Sequence, residues 1–382
     1  MCTNLLFKFV DYNNGDTDTV ISARAFELQG VPPSAWLSTN VYKVPAGQPY
    51  TLGATPKSTL YGFVGIAPAP TQASSDAASA PSLSFIDGLN SQGLSVGALW
   101  NPGTVYPPQD QASQLPSVFY AEIVGWALGN CAKVSEVQAG LAGFSIWGPA
   151  YPAKGYLPLH FIFTDNTGAS LVVEFLGGAM QTYASTVGDP ANGVLTNAPG
   201  YAWQTTNLEN YCNLTVIGKQ ATSLDPTVTT PVGNQLVGLP GDIMSSSRFV
   251  RAAVLSQGVA ALNGTKWLPP LGPTSGVQTV VNTAMQLVQM VMETPYGTVL
   301  QQTSTSTPPT VSDYTQWSVV RDHTNLAYYF TTAFNGIMRR IALSSLDLTS
   351  GAPTSVQLLP TPPTYTWYED ISQDLAVTGT QA

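Results

Sequence analysis

The chain has 382 residues, and only 9% of them are charged, against roughly 25% in an average globular domain. Its 13 Lys and Arg residues form no basic run and its formal net charge is −9, which excludes the usual footprints of binding to nucleic acid or to an anionic membrane. No apolar run approaches the ~20 residues that span a bilayer. The sequence also contains no secretory signal peptide. We therefore expect a cytoplasmic protein if Met1 is the native start, and a periplasmic or secreted one if a signal peptide has been removed.

Strand patterns dominate the first part of the chain. The alternating segments are residues 3–10, 19–28, 58–66, 85–90 and 94–100. The first two flank the turn residues 13–16, which predicts an antiparallel hairpin. Such a hairpin would return Arg24 and Glu27 towards the N-terminus.

Helical periodicity follows in the middle of the chain. It covers residues 117–142, with an interruption near Gly129 and Asn130, and Ser135-x-x-Gln138 resembles a capping box. A further helix begins near Phe249, and another covers residues 274–293. Strand patterns return at residues 157–165, 170–175, 194–197, 316–320, 326–331 and 338–342. Strands, then helices, then strands with short links favour an α+β fold with antiparallel sheets.

Residues 67–82, from Ala67 to Ser82, are a low-complexity stretch of Ala, Pro and Ser. Because strand patterns resume directly after it, we interpret this stretch as a mobile surface loop and not as a domain linker. We expect residues 2–382 to form a single domain, with about 346–382 as a C-terminal extension.

Cys2 has an unusual chemical option. If Met1 is removed, Cys2 carries both a thiol and a free α-amine, which titrates near ~7.7–8.0. One residue would then hold a nucleophile and a base together, as in N-terminal threonine enzymes. The alternative is that Cys2 is only a small residue at a frayed terminus.

The few cysteines and histidines limit the other mechanisms. Cys2, Cys131 and Cys212 are odd in number and widely spaced, which argues against a disulfide framework or a zinc site. His160 and His323 are the two histidines. His160 lies in an apolar strand and is typical of a packed strand residue, whereas His323 lies in a turn pattern.

Gly93-Leu94-Ser95-Val96-Gly97 matches the G-x-S-x-G pattern of a nucleophile elbow. An elbow needs a strand before it and a helix after it, but here a turn precedes Ser95 and an apolar strand follows. The match is therefore weak. A serine hydrolase using Ser95 with His160 or His323 stays open as a rival.

Two arginines stand out in a chain with so few charges. Arg248 falls in the first turn of a predicted helix, where a cation opposes the helix dipole. Arg24 lies inside an apolar strand, where an arginine usually has a carboxylate or substrate partner. Both positions indicate a charge that is used, although a solvated Arg248 is the alternative.

Four segments now carry a resemblance to a known family. They are Met1-Cys2-Thr3, Ser22-Ala23-Arg24-Ala25-Phe26-Glu27, Val194-Leu195-Thr196-Asn197-Ala198-Pro199, and Gly238-Leu239-Pro240-Gly241-Asp242 followed by Ser247-Arg248-Phe249. In this order they resemble the choloylglycine hydrolase family of penicillin V acylases and conjugated bile salt hydrolases. The resemblance implies an N-terminal nucleophile amide hydrolase with a four-layer αββα fold, an N-acyl amide substrate and no cofactor or metal. A homotetramer would follow from the resemblance alone.

The resemblance also implies roles for individual residues. Cys2 is the nucleophile, its α-amine moves the protons, and Arg24 stabilises the thiolate. Glu27 matches a position that is usually Asp and that binds the α-amine. Arg248 matches the arginine that supports the charge network of the nucleophile.

The resemblance places two donors around the oxyanion. They are the side-chain amide of Asn197 and the backbone N–H of Trp100. Penicillin V, N-acyl-homoserine lactones and conjugated bile salts are the candidate substrates, and the aromatic Trp100 favours an acylase-like pocket. The rival of another class is a non-catalytic binding protein on the same fold, with Cys2 blocked by a retained Met1.

The resemblance leaves one difficulty of geometry. Glu27 is one methylene longer than the usual aspartate. In a regular strand Arg24 and Glu27 would also point to opposite faces. We therefore expect the strand to end or to twist between them.

Overall fold

The computed structural model describes residues 2–11, 17–27, 39–68, 84–151, 153, 156–216, 234–261, 276–293, 300–302, 304–311 and 313–358. These residues contain nineteen strands, which are β1 (Cys2–Asp11), β2 (Thr17–Glu27), β3 (Thr39–Val44), β4 (Pro49–Leu52), β5 (Thr55–Ser58), β6 (Phe63–Pro68), β7 (Asp87–Asn90), β8 (Ser95–Trp100), β9 (Ser117–Phe119), β10 (Ser145–Trp147), β11 (Leu159–Thr164), β12 (Ser170–Leu176), β13 (Ala179–Ser185), β14 (Leu300–Gln301), β15 (Thr310–Val311), β16 (Thr315–Asp322), β17 (Ala327–Thr332), β18 (Asn335–Ala342) and β19 (Thr354–Gln357). They also contain five α-helices, which are α1 (Ile123–Asn130), α2 (Val134–Ala142), α3 (Tyr201–Leu208), α4 (Ser245–Ala261) and α5 (Gly276–Gln289).

Two antiparallel sheets form the body of the fold. Sheet A has the strand order β1-β2-β16-β17-β18, and sheet B has the order β13-β12-β11-β8-β7-β6-β3-β19. The predicted hairpin is confirmed, because β1 pairs with β2 so that Cys2 lies opposite Phe26 and Asn4 lies opposite Arg24. The hairpin thus returns Arg24 to the N-terminal end of the chain.

The sheets are stacked on each other, and helices cover the outer face of each. Helices α4 and α5 pack on sheet A, while α1 and α2 pack on sheet B. The alternation along β2 follows from this arrangement: Ala23 and Ala25 belong to the apolar core under α4 and α5, and Arg24 points to sheet B, where it contacts Ala98. The layers are therefore helix, sheet, sheet, helix, and the expected αββα fold is confirmed.

A bulge in β16 lies opposite the end of β2, where Glu27 follows Phe26. Thr315 pairs with Glu27 and Trp317 pairs with Phe26, so one residue of β16 is extra at this point. A bulge increases the local twist of a strand pair, and Glu27 is the last residue of β2. The side chains of Arg24 and Glu27 are both fully buried. Because β2 continues through both residues, the strand does not end between them, and the expected twist stays a prediction.

The predicted helix over residues 117–142 is divided differently in the structure. It begins as strand β9 and continues through a short 3-10 turn (Tyr120–Glu122) into α1 and then α2. The predicted capping box is wrong, because Lys133 precedes α2 and Ser135 lies inside it. The amide of Val134 instead donates to Asp165 Oδ2 at 3.0 Å. This cap comes from the end of β11, so local sequence could not reveal it.

The predicted strand over residues 58–66 is correct only in its second half. The amides of Leu60 and Tyr61 donate to the carbonyl oxygen of Gly129, at 2.7 and 2.9 Å. These residues therefore bind the end of α1 and not a neighbouring strand, and β6 begins at Phe63.

Two further predictions fall partly outside the described residues. Of the predicted loop at residues 67–82, Ala67 and Pro68 belong to β6, and residues 69–82 lie outside the described residues. In the predicted C-terminal extension, β19 pairs with β3 and completes one edge of sheet B. Residues 359–382 lie outside the described residues.

Candidate active site

Cys2 lies at the start of β1 and is 1% exposed. Its Sγ atom is 3.8 Å from Nη2 of Arg24 and 3.6 Å from the carbonyl oxygen of Glu27. Its backbone nitrogen donates to Oδ1 of Asn197 at 2.8 Å. The structure thus brings together Cys2, Arg24 and Asn197, three of the residues singled out from the sequence.

Arg24 is held in place by groups other than the thiol. Its Nη1 atom donates to the carbonyl oxygen of Ile86 at 2.7 Å and to Oδ2 of Asp87 at 2.8 Å, and Nη2 donates to the carbonyl oxygen of Ala98. Burial acts to lower the pKa of Arg24, but Cys2 and Asp87 outweigh it and the pKa is raised. The guanidinium is therefore a fixed charge beside the thiol.

Asp87 anchors this charge and a second one. Its Oδ1 atom accepts from Nε of Arg321 at 2.9 Å and from the hydroxyl of Tyr328 at 2.9 Å, and Oδ2 also accepts from Nη2 of Arg321. One buried carboxylate thus faces two buried guanidinium groups, which leaves one net positive charge near Cys2. Sequence reasoning missed Asp87 and Arg321, although the signal that singled out Arg24, a charge within an apolar strand, applies to both.

Arg248 lies in the first turn of α4 and is fully buried, so it is not a solvated arginine. Its Nη1 atom donates to the carbonyl oxygen of Cys2 at 2.8 Å and to Oγ1 of Thr3. Its Nη2 atom donates to Oδ1 of Asn197 at 2.8 Å, and Nε donates to the carbonyl oxygen of Ile243 at 2.9 Å. Arg248 therefore binds both the backbone of Cys2 and the side-chain amide of Asn197, which accepts from the nitrogen of Cys2.

The amide of Asn197 has one orientation that satisfies its neighbours. Oδ1 accepts from two donors, the nitrogen of Cys2 and Arg248, and Nδ2 donates to the carbonyl oxygen of Trp100. The backbone nitrogen of Asn197 donates to Oγ of Ser245 at 2.9 Å. An Nδ2 group carries two hydrogens, so one remains for a further acceptor.

Trp100 ends β8 and is half-buried. The nitrogen of Asn101 donates to the carbonyl oxygen of Pro158, so the N–H and C=O of Trp100 face the opposite edge of β8, because donors alternate between the two edges of a strand. On that edge the carbonyl of Trp100 meets Asn197. The two expected oxyanion donors therefore lie at the same edge of β8.

Glu27 and Glu293 are two buried carboxyl groups near Arg248. Oε1 of Glu27 accepts from Oγ1 of Thr315, and that same Oγ1 accepts from the nitrogen of Glu293 at 2.8 Å. Burial raises the pKa of Glu27 to about 7, against the opposing field of Arg248, and burial also raises the pKa of Glu293. The expected contact between Glu27 and the α-amine of Cys2 stays a prediction.

The described contacts argue against a serine hydrolase. Ser95 opens β8 within sheet B, with strands β7 and β11 on either side, so it does not sit on a strand-to-helix elbow. The ring of His160 contacts Glu174 and a backbone carbonyl. The ring of His323 contacts Ser22 and a backbone carbonyl, and burial lowers its pKa to about 4. Each histidine is thus engaged by partners other than Ser95.

The remaining cysteines, Cys131 and Cys212, are free thiols. Cys131 is buried, Cys212 is exposed, and neither is in a disulfide. Within the residues that the structure covers, no group of three or more His, Cys, Asp or Glu side chains could hold a metal ion. In the same part of the chain, no helix combines the length and apolarity needed to cross a membrane.

The stacked αββα layers, with Cys2 at the start of the β1-β2 hairpin, are those of the N-terminal nucleophile fold class. The family model of linear amide C–N hydrolases, choloylglycine hydrolase family, matches residues 57–356, and the chain belongs to this family. The resemblance found in the sequence is thereby confirmed.

Curated relatives of the chain include bile acid or bile salt hydrolases and an acylase. The conjugated bile acid hydrolase of Lactobacillus gasseri is 33% identical over 189 residues, which are 48% of this chain and 57% of that protein. The bile salt hydrolase/transferase of Clostridium perfringens is 31% identical over 45% of this chain and 51% of that protein. The penicillin V acylase of Pectobacterium atrosepticum is 25% identical over 65% of this chain and 59% of that protein. The matches thus span between half and three fifths of each relative's length.

Solved structures extend the likeness over nearly the whole chain. A variant of conjugated bile acid hydrolase from Clostridium perfringens has a TM-score of 0.71 and 21% identity, and covers 97% of this chain and 99% of that one. Penicillin V acylase from Agrobacterium tumefaciens has a TM-score of 0.64 and 22% identity, and covers 94% of this chain and 92% of that one. These structures share the fold.

Proposed function

We propose that this protein hydrolyses the amide bond of a linear N-acyl amine, with Cys2 as the nucleophile once Met1 has been removed. The observation that carries the proposal is the surrounding of Cys2, whose Sγ atom lies 3.8 Å from Arg24 and whose nitrogen lies 2.8 Å from Oδ1 of Asn197. The family description and the names of the relatives support an amide as the substrate.

In the first half of the proposed reaction, the α-amine of Cys2 accepts the thiol proton and the thiolate attacks the amide carbonyl. Arg24 stabilises the thiolate. The oxyanion that forms accepts hydrogen bonds from Nδ2 of Asn197 and from the N–H of Trp100, each worth about 3 kcal/mol on the precedent of single-donor deletions. Arg248 holds the carbonyl of Cys2 and the amide of Asn197 in register.

In the second half, the α-ammonium of Cys2 returns its proton to the nitrogen of the leaving amine as the C–N bond breaks. A thioester between Cys2 and the acyl group remains. Water, deprotonated by the α-amine, then adds to the thioester carbonyl, and the acid leaves as the thiol is restored. The nucleophile and the base are therefore regenerated together.

Among the candidate substrates, we propose a penicillin V-like amide ahead of conjugated bile salts and N-acyl-homoserine lactones. Trp100 supports this order, because it is only half-buried and its backbone is the proposed oxyanion donor, so its aromatic side chain favours an aryl-containing acyl group. Initial rates on one compound of each class, measured at equal concentration, test the order. A higher rate on a glycine- or taurine-conjugated bile salt would reverse it.

The cysteine mechanism is tested by C2A and C2S, with intact mass recorded for each protein. We expect the wild type to lack Met1 and to hydrolyse at least one amide of the panel, and C2A to be inactive. Amidase activity in C2A would refute the assignment of Cys2. A wild type that retains Met1 and is inactive would favour the non-catalytic binding protein.

We also propose that residues 2–382 form one domain and that the protein is a homotetramer, the latter on family resemblance alone. Calorimetry that resolves one cooperative transition supports the first proposal. Sedimentation velocity checks the second, and a monomer would refute it.

A further inference from the structure

His160 and Glu174 form a fully buried pair on the neighbouring strands β11 and β12. Nδ1 of His160 lies 2.8 Å from Oε1 of Glu174, and Nε2 lies 2.8 Å from the carbonyl oxygen of Thr196. A carbonyl oxygen and a carboxylate both accept hydrogen bonds. Each ring nitrogen of His160 therefore faces an acceptor.

Glu174 has further contacts that reach two other parts of the fold. Its Oε2 atom accepts from the nitrogen of Tyr201, the first residue of α3, at 2.8 Å. Its Oε1 atom lies 3.5 Å from Nδ2 of Asn101, and that nitrogen is 3.4 Å from Nδ1 of His160. A single carboxyl group thus joins a helix start, a histidine and an asparagine.

These contacts meet the neighbours of both proposed oxyanion donors. Thr196, bound by the ring of His160, directly precedes Asn197. Asn101, whose Nδ2 donates to Oε1 of Glu174 at 3.5 Å, directly follows Trp100. The pair therefore connects the segment that carries the side-chain donor to the strand end that carries the backbone donor.

We propose that His160 and Glu174 are positioning residues that fix the separation between the two oxyanion donors. This inference rests on the proposed amide hydrolysis. The pair acts through the carbonyl oxygen of Thr196 and the side-chain amide of Asn101, and makes no contact with Cys2 among the described bonds. Misplacement of a catalytic group by 1 Å can cost about 10²-fold in rate, so loss of the pair should lower kcat far more than it alters substrate binding.

The central test compares variants that keep or lose the bond to Thr196. H160F removes both ring donors at similar volume. H160N keeps an amide near Glu174 but is too short to reach Thr196, whereas H160Q can reach it. H323F is the matched control, because His323 is also buried and also donates to a backbone carbonyl, that of Gly93, at 2.8 Å.

Three readouts separate positioning from a general loss of structure. They are kcat and KM on the best amide of the panel, the rate at which iodoacetamide alkylates Cys2, and the thermal midpoint. We expect kcat to fall about 10²-fold in H160F and H160N with KM within threefold, and H160Q to recover at least tenfold of that loss. Alkylation should stay within threefold of the wild type in all of them, since the thiol and Arg24 are untouched. H323F should lower the thermal midpoint while its kcat stays within threefold.

The outcomes that overturn the inference are distinct from those that overturn the function. A kcat within threefold of the wild type in H160N, which keeps the test open if H160F does not fold, refutes the positioning role. Alkylation that falls in parallel with kcat refutes it too, because the defect would then lie in the nucleophile. A wild type that hydrolyses no amide refutes the proposed function, and this inference with it.

Discussion

Nη2 of Arg24 lies 3.8 Å from Sγ of Cys2, and both side chains are buried. Arg24 does not depend on the thiol for its position, because Asp87 and the carbonyls of Ile86 and Ala98 hold it. A cation fixed beside a thiol favours the thiolate, which is the nucleophilic form. The contacts between the two sheets therefore hold the cation that favours the reactive form of Cys2.

Replacing Arg24 should slow every reaction of the thiol. In R24M we expect the alkylation of Cys2 by iodoacetamide at pH 7 and the amidase kcat/KM each to fall about 10²-fold, because the thiolate loses its cation. R24K should lie between R24M and the wild type, since an ammonium keeps the charge but not the fork that binds two carbonyls and Asp87. Alkylation of R24M at the wild-type rate would contradict this role.

Replacing Asp87 should lower the free energy of unfolding by more than the loss of a single neutral hydrogen bond would. D87N leaves Arg24 and Arg321 buried without their counter-ion, and breaking a buried pair costs about 3–5 kcal/mol. Y328F removes a hydrogen bond to the same carboxylate without a change of charge and should cost about 1 kcal/mol. Urea unfolding measures both, and equal losses in the two variants would be inconsistent with an ionic role of Asp87.

Asn197 should contribute to the transition state and not to the reactivity of the thiol. N197D keeps an oxygen for the nitrogen of Cys2 and for Arg248 but removes the Nδ2 hydrogens, so kcat should fall about 10²–10³-fold. S245A removes one bond to the backbone of Asn197 and should lower kcat by about tenfold or less. Steady-state kinetics check both, and an N197D enzyme within tenfold of the wild type would rule out the oxyanion role.

Stability should decline with rising pH around the pKa of Glu27. Burial raises this pKa from 4.5 to about 7, so the folded state binds the proton more tightly than the unfolded chain does. The stabilisation is complete below about pH 4.5 and is lost as the pH rises through about 7, a loss of about 3 kcal/mol in the free energy of unfolding. The free energy of unfolding, measured with urea at several pH values from 4.5 to 8, should therefore decrease less steeply with pH in E27Q than in the wild type. An equal decrease with pH in both proteins would refute the assignment of the raised pKa to Glu27.

The local sequence pattern predicted the part of the candidate site that lies on the β1-β2 hairpin. Alternating apolar residues and the turn at residues 13–16 placed Arg24 and Glu27 near Cys2, and the register of β1 and β2 confirms it. The pairing of Arg24 and Arg321 with Asp87 could not be predicted in this way. Those residues are far apart in sequence and meet only because sheet B is stacked on sheet A.

The caps and breaks depended on contacts from distant segments. The first amide of α2 is bound by Asp165, which is distant in sequence. The predicted strand over residues 58–66 is interrupted because the amides of Leu60 and Tyr61 bind Gly129. In each case a backbone amide binds an acceptor that folding brings to it from a distant part of the sequence. Secondary-structure propensity takes account only of acceptors that are close in sequence.

The sequence by itself determined the class of the fold, the hairpin that begins at Cys2 and the identity of Cys2, Arg24, Glu27, Asn197 and Arg248 as candidates. These follow from periodicity, from the scarcity of charge and from a resemblance to a family. The tertiary structure alone decided which charges face each other, which way the amide of Asn197 points and how His160 joins Glu174. Burial and hydrogen bonding between layers fix these relations, because each buried donor must find an acceptor that the stacking of the two sheets brings to it.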